Sequence, residues 1–238
     1  MMGALWLFAR MLFVVFYTIL ISIAAAFAIV LPVGDSPFHE IVRNWARVVL
    51  GVFGIRVHLF GGERLQVGQH YVYVSNHASM FDIPAVIASI PDKVHIVFKK
   101  ELTRVPIWGW ALAISPYITI DRGNPRGAMA SLEKAAKKIQ KGKSILLFAE
   151  GTRTRDGKLQ PFKRGAFLLA LKSGIPLVPV TINRTYHILP KGEWRIKPTD
   201  IEMILEQPIV SGSEPGKDAE EQLMATVHQQ IAKHYVDQ

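Results

Sequence analysis

The segment "MLFVVFYTILISIAAAFAIVLPV", residues 11 to 33, runs for 23 residues without a charge and is interrupted only by Thr18 and Ser22. At about 1.5 Å of rise per residue, a helix of this length crosses the roughly 30 Å of hydrocarbon in a bilayer. Two readings fit it: a retained membrane anchor, or a secretory signal cut near Ala24-Ala25-Ala26. Against the signal, the charged region ahead of the apolar run would be Arg10 alone within "MMGALWLFAR". After Pro32, Gly34, Asp35 and Pro37 comes "FHEIVRNWARVVLGVFG", where Arg43, Trp45 and Arg47 sit among apolar residues as in a helix lying at a lipid surface. The expectation is a membrane-anchoring unit over residues 1–52, as a helical hairpin or a simple span, and a second unit over 53–238 that carries the chemistry.

From about residue 53 the texture changes to short β-rich runs separated by helical patterns. The expected strands are 55–60, 70–75, 93–98, 117–120, 144–149, 176–182 and 201–206, and the expected helices are 82–90, 125–141, 163–173 and 217–235. Several runs, such as "SILLFA" and "PLVPVTI", are nearly all apolar, the signature of strands covered on both faces. The fold class predicted is therefore α/β, a largely parallel mixed sheet flanked by helices behind a hydrophobic N-terminal helix. In such a sheet, functional residues gather where strands end.

The stretch "YVSNHASMFDIPAV", residues 73 to 86, breaks from strand into turn at Ser75-Asn76-His77 and resumes as helix near Asp82, since Pro84 is tolerated only in a first turn. Five residues apart on one continuous helix, His77 and Asp82 would point about 140° apart, so they meet only if the turn brings them together. If they meet, the carboxylate orients one ring nitrogen and leaves the other as a general base. The structural alternative is that Asp82 closes an S-x-x-D capping box with Ser79 and His77 is an ordinary turn residue. The other seven histidines, His39, His58, His70, His95, His187, His228 and His234, have no comparable strand, turn and carboxylate setting and read as surface or structural residues.

Two basic segments follow. In "SILLFAEGTRTRDGKLQPFKRG" an apolar strand enters Glu150-Gly151-Thr152-Arg153, and Arg153, Arg155, Lys158, Lys163 and Arg164 cluster around glycines ahead of a helix start. Arginine forks, close backbone approach and helix amides suit a phosphate ester, whereas the plain alternative is a solvated basic loop in which Glu150 pairs Arg153. In "FKKELTRVPIWGWALAISPYITIDRGN", Lys99, Lys100 and Arg104 stand beside Trp108 and Trp110, suiting a membrane surface or a helix that buries its tryptophans. The chain as a whole carries 28 Lys and Arg against 19 Asp and Glu, net +9, which suits anionic lipid, phosphorylated small molecules or nucleic acid.

Several chemistries are excluded by what the chain lacks. With no cysteine there is no disulfide, thiolate metal site or cysteine nucleophile. Gly142-Lys143-Ser144 ends like a phosphate loop, but Lys137 stands where the loop's first glycine is required. "HEIVR" has Arg43 in place of the second histidine of a zinc-protease helix, and no G-x-S-x-G elbow exists. Direct group transfer fits better than an acyl-enzyme. No basic-aromatic platform for single strands and no reading helix is visible, so nucleic acid is not an expected partner.

Taken together, these residues resemble the glycerolipid acyltransferases, specifically the bacterial 1-acylglycerol-3-phosphate acyltransferases, over roughly residues 50 to 210. Asn76-His77 through Asp82 matches the family's N-H-x-x-x-x-D motif. "YITIDR" resembles its second motif, "FAEGTRT" its F-P-E-G-T-R-S, and "IPLVPV" its fourth, all in family order. Ala149 replaces Pro, Thr154 replaces Ser, Thr119 stands where Phe is usual and Pro116 where Gly is frequent.

The resemblance implies a glycerol-3-phosphate acyltransferase-like fold. It makes His77 the base and Asp82 its orienting partner, with no metal, no cofactor and no covalent intermediate. It assigns Glu150, Gly151 and Arg153 to acceptor binding, with Arg153 on the phosphate and Arg122 nearby; Asn76 and Thr152, within the same motifs, are expected to bind substrate, and Lys99 and Lys100 are added on charge alone. The acceptor implied is 1-acylglycerol-3-phosphate, with another lysophospholipid or a lyso-aminolipid as the alternative, and the donor is acyl-CoA or acyl carrier protein. A cytoplasmic donor places the catalytic unit on the cytoplasmic side of the inner membrane. A non-catalytic protein that binds anionic lipid is the competing reading if His77 and Asp82 do not meet.

Overall fold

The computed structural model describes residues 2–30, 34–121, 125–210 and 216–237. Two N-terminal helices, α1 (Met2–Val30) and α2 (Ser36–Phe53), precede an alternating unit. That unit runs β1 (Val57–Phe60), β2 (Val72–Ser75), α3 (Asp82–Ser89), β3 (Val94–Lys99), α4 (Trp108–Ile114), β4 (Ile118–Ile120), α5 (Pro125–Gln140) and β5 (Ser144–Phe148). It continues through α6 (Gly165–Ser173), β6 (Leu177–Asn183), α7 (Thr185–Ile188), β7 (Ile201–Leu205) and α8 (Lys217–His234). All seven expected strands form, each within two residues of its expected bounds. The short helices α4 and α7 were not separate expectations.

The strands make one sheet in the order β1-β7-β6-β2-β5-β3-β4. Every pairing is parallel except β6 with β7. The central strands β2, β5 and β6 are buried along their whole length, because successive side chains enter opposite cores. Tyr73 and Leu146 face a core closed by α2 and α3, whereas Val72, Val74, Ile145 and Leu147 face one closed by α5, α6 and α8. Near the sheet's margin, β7 alternates buried and half-buried positions, as a strand with one face fully covered does.

The N-terminal helices part company in what they touch. On α2, Ala46, Val49, Leu50 and Phe53 are buried in the same core as Tyr73 and Leu146. Arg43, expected at a lipid surface, instead donates to the carbonyls of Ile87, Ile90 and Asp92 at 3.3, 3.2 and 2.7 Å, satisfying the carboxyl end of α3. The apolar face of α2 is therefore occupied by protein, which corrects its reading as an interfacial helix. By contrast α1 leaves Trp6, Phe8, Phe16, Phe27 and Val30 exposed, and its stretch Leu5–Val30 is long and apolar enough to cross a membrane. Of its two polar interruptions, Thr18 reaches α2 and Ser22 stays within α1. Thr18 returns its hydroxyl to the Val14 carbonyl at 2.7 Å and accepts from Trp45 Nε1 at 2.9 Å, while Ser22 bonds the Thr18 carbonyl at 2.7 Å. Trp110 and Ile114 of α4 are exposed in the same neighbourhood, whereas Trp108 turns inward to line an apolar cavity.

Candidate active site

Because β2, β5, β3 and β4 are parallel neighbours, their carboxyl ends lie along one margin of the sheet, and the residues that follow them share it. The turn after β2 folds His77 onto Asp82, the first residue of α3: His77 Nδ1 and Asp82 Oδ2 are 2.7 Å apart. The same oxygen accepts from the amides of Ala78 and Ser79 at 2.8 and 2.9 Å. One carboxylate oxygen thus serves both the imidazole and the Ser79 turn that the capping-box alternative describes. Asp82 is fully buried, and its Oδ1 has no hydrogen-bond partner among the described residues.

The rest of His77 is held as firmly. Its amide donates to Glu150 Oε1 at 2.6 Å and its carbonyl accepts from the Thr154 amide at 2.9 Å, so the loop after β5 clamps the turn from both sides. Its ring stacks on Phe148 with centroids 4.0 Å apart and planes 15° from parallel. With Nδ1 committed, Nε2 is the nitrogen available to a substrate; it has no hydrogen-bond partner among the described residues. An imidazole fixed by a buried carboxylate, with its second nitrogen open, is equipped to take a proton from a hydroxyl.

Not every expected contact lies on this surface. Asn76 is buried, and its side chain pairs with the backbone of Ile182 in β6, donating to the carbonyl and accepting from the amide at 2.8 Å each. Both ends of the amide are thereby used, so Asn76 pins β2 to β6 instead of facing substrate. Arg164 makes a two-pronged pair with Glu220 of α8 at 2.5 and 3.0 Å and so leaves the basic loop's phosphate set. Lys99 and Lys100, at the end of β3, are exposed and sit beside Glu101 and Asp121 at 3.2 and 3.6 Å. They stand two strand spacings from His77, about 10 Å along the sheet, with β5 between. Arg122 lies outside the described residues.

Glu150 is 4% exposed, and its carboxylate accepts from the amides of His77 and, at 3.2 Å, Gln160. It is a bracket between two loops, not an exposed acceptor contact or a partner of Arg153. Burial is the main cause that raises its pKa to about 7, against the lowering effect of the two amides. The folded chain consequently holds this proton more tightly than the unfolded chain, so stability from this group is present below about pH 4.5 and is lost as pH rises through 7. Glu150→Gln is expected to flatten that part of the profile. Denaturant midpoints at pH 5, 6, 7 and 8 for both proteins check it, and an unchanged slope would assign the pH dependence to other groups.

The basic loop is built for close approach. Gly151 adopts φ +72°, and a Cβ there would lie 2.8 Å from Lys163 Cδ, so glycine lets the lysine chain cross the backbone. Arg153 is half-buried next to it. Lys191, in the loop after α7, was not recognised in the sequence; its ammonium donates to Thr152 Oγ1 at 2.9 Å and lies 3.5 Å from the Arg153 carbonyl oxygen. Nothing local in "ILPKGEW" marks it, because the contact spans 39 residues of chain. Lys163, Arg153 and Lys191 thus bring three cations to the margin that carries His77.

Comparison with known proteins identifies the family. The sequence model of the Acyltransferase family matches residues 56–183, more than half of the chain. A chloroplastic 1-acyl-sn-glycerol-3-phosphate acyltransferase of Arabidopsis thaliana is 32% identical over 209 residues, 82% of this chain and 58% of that protein. A 1-acyl-sn-glycerol-3-phosphate acyltransferase of Pseudomonas aeruginosa is 32% identical over 173 residues, 71% of this chain and 66% of that protein. The chain spans about six tenths of the length of the plant relatives it matches. The crystal structure of PlsC, the 1-acyl-sn-glycerophosphate acyltransferase of Thermotoga maritima, superposes with a TM-score of 0.80 over 97% of this chain and 95% of that one. At 22% identity, that agreement speaks to the fold, a mostly parallel sheet with flanking helices. Motif order, the formed His77 and Asp82 pair and the family match all lead to one statement: this chain belongs to the Acyltransferase family.

Proposed function

We propose that this chain transfers a fatty acyl group from a thioester, acyl-CoA or acyl carrier protein, to the sn-2 hydroxyl of 1-acylglycerol-3-phosphate, giving phosphatidic acid. The observation that carries the reading is the 2.7 Å contact of His77 with Asp82, at a sheet margin that also bears Arg153, Lys163 and Lys191. His77 Nε2 removes the hydroxyl proton as that oxygen attacks the thioester carbonyl, and Asp82 stabilises the imidazolium. Collapse of the tetrahedral adduct breaks the carbon–sulfur bond, and the departing thiolate takes the proton back from His77. Neither a covalent enzyme intermediate nor a metal enters these steps. The decisive experiment is product analysis with the purified full chain, a panel of lyso-acceptors and both donors. Phosphatidic acid formation supports the reading; absence of any acylated product from every pairing would overturn it.

The cations define the acceptor end. Arg153→Ala and Lys191→Ala are each expected to raise the acceptor KM by about 10- to 100-fold with little change in donor KM, since charge-assisted contacts to phosphate are worth roughly 1.5–3 kcal/mol. A rise confined to the donor KM would reassign the loop to the phosphates of CoA or to the acidic carrier.

The lipid substrate also has to reach the site. In this reading α1, with exposed Trp110 and Ile114 of α4, holds the enzyme on the cytoplasmic face of the inner membrane. The apolar cavity of about 110 Å³ between α1, α2 and β3, lined by Ile83, Ile96, Phe98 and Trp108, is a route for acyl chain. Cutting the chain at residue 52 would strip α2 from the core, so the test changes only the outer face of α1. Replacing Phe8, Phe16 and Phe27 with Asn is expected to weaken sedimentation with anionic vesicles by at least about 100-fold, each lost phenylalanine costing roughly 1.5–3 kcal/mol of transfer. Turnover of bilayer-embedded acceptor should fall with it, while a short-chain soluble analogue is still processed. Unchanged sedimentation would remove α1 as the dock.

A further inference from the structure

At the opposite end of the sheet from His77, the start of α2 meets the start of β3. Asp35, the N-cap of α2, lies one helical turn before His39, whose amide donates to the Asp35 carbonyl at 3.1 Å, and His95 is the second residue of β3. Acyl transfer as described above uses none of the three. We propose that Asp35, His39 and His95 form a binding site for a zinc-like divalent cation that staples α2 to β3.

The distances suit a metal. His39 Nε2 and His95 Nε2 are 3.3 Å apart, His95 Nε2 and Asp35 Oδ2 are 3.6 Å apart, and all three donor atoms lie within 4.8 Å of one another. Ligand bonds of 2.0–2.1 Å at tetrahedral angles separate neighbouring donor atoms by about 3.3–3.4 Å. As a nitrogen-to-nitrogen hydrogen bond, 3.3 Å is long.

The His95 ring is also oriented for it. His95 Nδ1 lies 3.0 Å from the Ser144 carbonyl oxygen, which only accepts, so Nδ1 carries the proton and the Nε2 lone pair faces the cluster. Such a backbone partner behind the ligating nitrogen is how metal-bound histidines are ordinarily fixed. Both rings are buried, His39 at 6% and His95 at 1% exposure, and Phe38 and Tyr117 pack edge-on against them. Asp35 stands at the N-cap of α2 yet makes no side-chain capping bond; its carboxylate turns to His95 and to Lys143.

Lys143 decides how tight the site is. In the metal-free chain its ammonium occupies the Asp35 carboxylate, and its side chain is one-third exposed, so it has room to swing into solvent. Lys93, bonded to Ser36 Oγ at 2.7 Å, and Lys138, bonded to the carbonyls of Pro116 and Tyr117 at 2.5 and 3.0 Å, add positive charge nearby. That field opposes hard cations held by charge alone, whereas two imidazoles favour zinc, cobalt, nickel or copper. Three protein ligands leave the fourth position to water.

The test uses the full chain in detergent, stripped with chelator and titrated with cobalt(II), then zinc. The expected result is the intense visible absorption of tetrahedral cobalt, discharged by zinc, together with a higher Tm in zinc. His95→Gln should abolish the absorption, His77→Ala should keep it, and Lys143→Met should tighten cobalt binding by about tenfold by removing an internal competitor. No tetrahedral absorption in either the unmodified chain or Lys143→Met would overturn the site. So would a Lys143→Met affinity equal to that of the unmodified chain, or absorption lost in His77→Ala, which would place the metal at the other end of the sheet. Lys143→Met alters a half-buried side chain at the rim, so it decides the matter even where His95→Gln fails to fold.

Discussion

His77→Ala is expected to leave a folded protein whose kcat for acyl transfer is about 10²- to 10⁴-fold lower, the usual loss when a general base is removed. An aliphatic hydroxyl has a pKa far above 7, so attack on the thioester requires proton removal as the bond forms. Glu150 spends its carboxylate on the backbone amides of His77 and Gln160, and Asp82 has spent its bonded oxygen on Nδ1 and two amides, so neither replaces Nε2. Structural loss should be small. The ring is partly exposed, the substitution keeps the backbone bonds to Glu150 and Thr154, and Asp82 keeps its bonds to Ala78 and Ser79. Steady-state kinetics on protein with an unchanged circular dichroism spectrum checks it. Near-normal turnover would sink the assignment of His77 as base.

Asp82→Asn separates the carboxylate's charge from its shape. The asparagine oxygen can take the place of Oδ2 and keep the three N–H donors, while its NH₂ falls where Oδ1 already lies buried without a partner among the described residues. An unpaired buried amide costs about 1–3 kcal/mol, so the variant should fold with a lowered Tm. What it loses is the negative charge that stabilises imidazolium during attack, and kcat is expected to fall by about 10²- to 10⁴-fold with acceptor KM little changed. The double variant His77→Ala/Asp82→Asn should be hardly slower than His77→Ala alone, because the two residues act as one unit. Multiplicative losses in the double variant would mean that Asp82 acts on the reaction independently of His77.

Much of the architecture was legible because apolar periodicity reports which faces are covered. Runs such as "SILLFA" and "PLVPVTI" have no polar face to give to solvent, so they had to be strands buried on both sides, and β5 and β6 are. Pro84 fixed the start of α3, and with it the place of Asp82 in the first turn. The antiparallel pairing of β6 with β7 carries no such mark, since burial pattern reports faces and not neighbours. For the same reason α2 reads identically whether lipid or a protein core takes its apolar side, and only the sheet behind Phe53 and Leu50 decides between them.

Within the site, the sequence by itself determined which residue types were present at a strand end and, through motif order, the family they resemble. It left open whether His77 and Asp82 meet, because a five-residue separation through a turn has no fixed geometry; the 2.7 Å contact is a property of that turn, clamped by Glu150 and Thr154 from a different strand. Asn76 and Lys191 exchanged roles for a related reason. Asn76, adjacent to the base in sequence, faces inward and pins Ile182, whereas Lys191, far away along the chain, reaches Thr152. Sequence adjacency fixes where a backbone goes, but alternation along a strand and the return of distant loops fix where side chains point, and those depend on which strands lie side by side in the folded sheet.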